Sequence, residues 1–177
     1  MTVQRLYFTV IIALLALVTC GCTPAVPAPS DDQSKAFAEL FPIADMNHSL
    51  KLTLIEVKLG KYGVDIHIAV ENQGQWPIVF STAAGQPPYV RPFVIQDGLW
   101  LELPNGVQYL SSTGGDSFTL EAPGANQSSS LTTHVRPDFE ANPADTRQPG
   151  LVRILVMGAA QGDGQPVGAY LDVLVER

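Results

Sequence analysis

The chain has 177 residues, 46% of them hydrophobic and 15% charged, with a formal net charge of −7. That is material for one domain of ordinary size, too apolar and too weakly charged to be disordered throughout. Ten Lys and Arg against seventeen Asp and Glu, with no basic cluster, cannot neutralise a phosphate backbone, which excludes nucleic acid as an expected partner.

Residues 6–18, LYFTVIIALLALV, form an uncharged apolar stretch preceded by Arg5 and followed by Thr19-Cys20-Gly21-Cys22. Its thirteen residues suit the hydrophobic region of an export signal and fall short of the roughly 20 that span hydrocarbon. A signal peptide is therefore expected over residues 1–21. The junction Val18-Thr19-Cys20-Gly21-Cys22 resembles the lipobox of bacterial lipoproteins, in which small or apolar residues precede a Gly, Ala or Ser and then the acylated Cys. Cys22, which follows Gly21, fits that pattern better than Cys20, which follows Thr19; Thr19 itself stands where Leu is commonest. The resemblance implies cleavage before Cys22 and diacylglycerol, carrying palmitate-type chains, on its sulfur. Each buried acyl CH₂ contributes about 0.8 kcal/mol, so two or three chains anchor stably where one does not. The mature chain would then contain no disulfide, because Cys20 leaves with the signal and the Cys22 thiol is consumed.

Residues 22–30 are expected to be the lipidated linker. Three prolines in the eight residues TPAVPAPS favour polyproline II and a stand-off of roughly 25 Å from the bilayer. Residues 31–42 read as a short helix: Ser30 and Gln33 have capping-box spacing, and Ala36, Phe37, Leu40 and Phe41 recur at helical intervals before Pro42. Packing across the domain is expected of it. Asp31, Asp32 and Glu39 against Lys35 alone do not suit a membrane surface.

Residues 43–177 are expected to be the main domain, because from Leu50 onward the apolar period changes to two. Leu50, Leu52 and Leu54 alternate with polar residues, and then the parity passes to Ile55, Val57 and Leu59, which predicts a bulge or a crossing between sheets. Ile66, Ile68 and Val70 mark the next strand, with Asp65, His67 and Glu71 on its other face. Pro104-Asn105-Gly106 is read as a three-residue hairpin loop pairing Leu103 with Val107 and Leu101 with Tyr109, with Gly106 in a left-handed bulge. Further strands are expected around Phe118, Leu131, residues 151–157 and 169–176. Ala122-Pro123-Gly124-Ala125 reads as a type II turn and Gly162-Asp163-Gly164 as a hairpin tip. Short strands punctuated by Gly and Pro, after a single helix, predict an all-β, antiparallel, immunoglobulin-like sandwich with a short N-terminal helix.

Three stations reinforce that fold. Val70-Glu71-Asn72-Gln73-Gly74, Leu101-Glu102-Leu103-Pro104-Asn105-Gly106-Val107-Gln108-Tyr109 and Leu120-Glu121-Ala122-Pro123-Gly124 resemble turn motifs of the telokin-like, immunoglobulin-type domains found on many bacterial lipoproteins. Ala122, inserted before Pro123-Gly124, departs from the family pattern, as does the long segment between Phe80 and Leu99. The resemblance supports a fold and brings no catalytic residues.

The candidates for chemistry are sparse. Asp65 and His67 share a strand face at i, i+2 without a third metal ligand assigned to it. Asp138, Glu140, Asn142 and Asp145 echo a calcium loop, but Pro143 and Pro149 occupy the positions of its essential Gly and bidentate Glu. Gly114-Gly115-Asp116-Ser117, with His67 or His134 as base, lacks the glycine that follows a nucleophile elbow, since Phe118 stands there. No cofactor, metal or catalytic residue is expected. Trp76, Tyr89, Phe93 and Trp100, clustered around a Pro-rich segment, are the candidate partner-binding residues, with core packing the competing role for Trp100.

The expectation is thus an accessory module, anchored by lipid on the extracytoplasmic side of a cell membrane or outer membrane, that binds an envelope protein, peptide or glycan. Loop-based protease inhibition, through residues 83–91 or 137–150, is the alternative. A hydrolase ranks below both.

Overall fold

A computed structural model describes residues 28–60, 63–81, 89–106, 117–125, 128–139 and 150–175. The segments read from the sequence as a signal peptide, a lipidation site at Cys22 and most of a linker lie outside them. Among the described residues one helix, α1 (Asp31–Leu40), precedes ten strands: β1 (Asp45–Met46), β2 (Leu50–Gly60), β3 (Gly63–Asn72), β4 (Ile78–Ser81), β5 (Val90–Gln96), β6 (Leu99–Glu102), β7 (Ser117–Leu120), β8 (Ser130–Val135), β9 (Gly150–Ala160) and β10 (Pro166–Val175). Among the described residues no helix is long and apolar enough to cross a membrane.

The strands form the expected all-β sandwich. A three-stranded sheet runs β2-β3-β8. The seven-stranded sheet is built on β9: β10 and then β1 lie on one side, and the other side is shared by β5, opposite Val152–Val156, and β4, opposite Ala159 and Ala160. β6 continues from β5, and β7 from β4. All these pairings are antiparallel except the two-residue contact of β1 with β10.

Alternation of apolar residues explains the layers. Val64, Ile66, Ile68 and Val70 of β3 and Val135 of β8 are buried against Val152, Ile154 and Val156 of β9 and Val167, Ala169, Val173 and Val175 of β10. Each such side chain contributes about 1.5–3 kcal/mol on removal from water. The parity switch in β2 is a bulge: pairing with β3 skips from Leu54 to Glu56, so Ile55 stands unpaired and Leu52 and Val57 both pack on the core. Leu54 and Leu59 share that inward face yet stay 42% and 61% exposed, because β2 is the margin of its sheet.

The helix begins as its sequence dictates. Gln33 N–H donates to Ser30 Oγ and Ser30 N–H donates to Gln33 Oε1, completing the capping box. It lies on the outer face of the larger sheet, where Phe37 is buried with Phe93 and Leu155, and Phe41, Trp100 and Tyr170 close around them. Of the four apolar helix positions only Phe37 and Phe41 pack there. Ala36 is exposed, as is Leu40 at 58%, since a helix this short meets the sheet along a narrow line.

The turns divide. Gly124, at φ +87°, and the Ala125 N–H donated to the Ala122 carbonyl make the predicted type II turn. The left-handed bulge expected at Gly106 requires correction, because its φ is not left-handed, while the pairings expected for Leu103 and Leu101 fall on partners outside the described residues. Instead residues 104–106 run beside residues 136–138: Gly106 N–H donates to the Arg136 carbonyl at 2.8 Å and Asp138 N–H to the Pro104 carbonyl at 2.9 Å. Val107 and Tyr109 lie outside the described residues. The chain reverses earlier, at Asp97-Gly98, whose φ values of 50° and 81° suit the two-residue hairpin joining β5 to β6.

Candidate functional site

Polar residues converge on the outer face of the smaller sheet. Asp65 and His67 share that face as their spacing predicts, and the β3–β8 register places His134 directly opposite His67. The two rings stack with centroids 4.1 Å apart. Arg136 donates through Nη2 to Asp65 Oδ2 at 3.0 Å, and His134 Nδ1 lies 3.1 Å from Asp65 Oδ1. Burial pushes the Asp65 carboxyl up, but hydrogen bonds and charge from Arg136 and His134 prevail and hold it below its ordinary value. Beside it Lys58 pairs with Glu56 at 2.7 Å. Both Asp65 oxygens are thus engaged, and among the described residues no group of three or more His, Cys, Asp and Glu is placed to hold a metal ion. Ser117 opens β7 in the other sheet, while Asp116 and the calcium-loop positions Glu140, Asn142 and Asp145 lie outside the described residues.

The aromatic candidates separate into three environments. Phe93 is 3% exposed and Trp100 half-buried, each ring edge-on to Phe37 of α1; Trp100 Nε1–H donates to the Gln33 carbonyl at 2.7 Å. Tyr89 belongs to the main core, edge-on to Phe80 and Phe118, where burial raises its phenol above the ordinary range despite a hydrogen bond with Thr133. Trp76 alone stands out, 64% exposed. The four residues therefore do not compose one surface.

Sequence reading did not anticipate Arg153, a charged residue within the apolar run LVRILVM. It is 2% exposed, forms a two-pronged ion pair with Asp172 at 2.7 Å, and places its guanidinium 4.1–4.8 Å from the ring centres of Tyr170, Trp100 and Phe37. Arg91 likewise pairs with Glu102 and lies over Phe41 and Phe93. These cations join helix to sheet through ring faces and carboxylates.

Trp76 sits at one end of the sandwich on a frame set by Asn72. That side chain is fully buried; its Nδ2 donates to the carbonyls of Trp76, Leu120 and Glu121 at 2.9–3.1 Å, and its Oδ1 accepts from Gly74 N–H. Gly74 is required there, since a Cβ would come within 2.8 Å of Ser49 Cβ. On the other side Gln161 N–H donates to the Pro77 carbonyl at 2.7 Å. Residues 73–77 are thereby held between the turn at 121–125 and the hairpin tip at 161–165. The Asn-x-Gly and Pro-Gly stations thus meet in space. A scan against models of known protein families finds none that matches this chain, and no curated protein matches it significantly.

Proposed function

We propose that this chain is a lipid-anchored extracytoplasmic module of a cell envelope that acts by binding and not by catalysis. The observation that carries the reading is the junction Gly21-Cys22, placed between an uncharged thirteen-residue stretch and a proline-rich spacer. Asp65, with both oxygens engaged by Arg136 and His134, would have to give up those partners to act itself as a general base or a ligand. The anchor holds the sandwich at the membrane and leaves its loops to meet an envelope component.

Expression in a bacterium, followed by separation of membranes from soluble protein, tests the anchor. The wild type and Cys20→Ala sediment with membranes, whereas Cys22→Ala is released or retained only through an uncleaved signal. Release of Cys20→Ala together with retention of Cys22→Ala as a processed, lipid-labelled chain would overturn the assignment.

A further inference from the structure

We infer that the loop end carrying Trp76 binds a neutral carbohydrate chain. The inference deepens the binding role proposed above and does not depend on the lipid anchor. Three observations support it. First, Trp76 is 64% exposed although its backbone is fixed, its own carbonyl accepting from Asn72 and the next from Gln161 N–H. A large rigid side chain on an ordered frame loses little freedom when a partner covers it.

Second, the exposed neighbours are rich in amides. Gln75 adjoins Trp76, Gln161 and Gln165 bracket the adjacent hairpin tip, and Gln73 on the same loop donates through Nε2 to Glu71 at 3.3 Å. Each amide both donates and accepts, matching sugar hydroxyls, which do the same. Third, no Lys or Arg occurs in residues 47–49, 73–77, 121–125, 128–129 and 161–165, whereas Glu121 and Asp163 do, together with His48. A polyanion would find no cation there and would meet two carboxylates.

The chemistry follows from the pairing. A pyranose presents a face of C–H groups, apolar and slightly positive, which suits the electron-rich face of an indole, while its equatorial hydroxyls reach outward to side-chain amides. Charged or apolar polymers satisfy one half of this surface and not the other.

The test uses the full-length chain in detergent, titrated with cellohexaose and with the hexamer of N-acetylglucosamine while the heat of binding is followed by calorimetry, a readout that does not depend on either tryptophan. At least one of the two gives a saturable response. Trp76→Ala weakens that binding about tenfold or more, and Trp76→Tyr recovers part of it. An unchanged thermal midpoint in both variants shows that the fold is intact, as expected for so exposed a side chain. Saturable binding of neither hexamer overturns the proposal. So does equal binding by Trp76→Ala, or a preference at Trp76 for alginate or a proline-rich peptide. Loss of anchoring in the Cys22 experiment leaves these titrations unaffected, so the two readings fail separately.

Discussion

Asn72 is a buried polar side chain whose amide holds three carbonyls, those of Trp76 in its own loop and of Leu120 and Glu121 at the end of β7. Asn72→Ala leaves those acceptors without their donor and is expected to cost about 2–3 kcal/mol, read as a lower urea midpoint. Asn72→Asp, similar in shape but without the amide donors and with a charge to bury, is expected to cost at least as much. Equal stability of all three proteins would show that the frame around Trp76 is held by something else. Asp65 makes a different claim, about pH. Its folded pKa lies below the ordinary 3.8, so the unfolded chain binds this proton more tightly. The stability it contributes is complete above that value and is lost as pH falls through 3.8 towards the folded pKa. Wild-type stability should therefore fall more steeply than that of Asp65→Asn between about pH 5 and pH 3, and parallel curves would contradict the pairing. The Asp65–His67 face was readable from alternation within β3. The approach of His134 and Arg136 was not, because it depends on register between strands more than sixty residues apart.

The α1 helix illustrates what local chemistry specifies and what it leaves open. Its start was legible in Ser30 and Gln33, and its stop in Pro42, since caps and breakers act on neighbouring residues. Which face it buries was only partly legible. Arg153, Trp100 and Tyr170 reach the helix from three strands, and no pattern within residues 31–42 announces them. The hairpin at Asp97-Gly98 was not read from the sequence, where attention fell on Asn105-Gly106. Because α1 meets the sandwich through one small cluster around Phe37, Phe37→Ala is expected to remove about 3–5 kcal/mol of docking without unfolding the sheets. Amide exchange should accelerate over residues 31–41 and Trp100 emission should shift to the red, while β3 and β9 stay protected. Acceleration of exchange in β3 and β9 to the same degree would mean that helix and sandwich unfold as one unit.

Taken whole, the molecule joins two parts of different character: an apolar N-terminal segment ending at Cys22, and an acidic sandwich with one core between its sheets and a smaller one under α1. The fold class was legible because a period of two, punctuated by Gly and Pro, leaves few alternatives to paired sheets. The division of β9 between β5 and β4 was not, since both are short strands compatible with several neighbours. In the proposed arrangement the proline-rich spacer holds the sandwich away from the bilayer, so that the loops around Trp76 are free to engage an extended partner. The measurement that bears most directly on this reading is the intact mass of the protein purified from bacterial membranes. A chain beginning at Cys22 and carrying diacylglycerol is the expected result; an unmodified chain, or one whose N-terminus lies elsewhere, would contradict it.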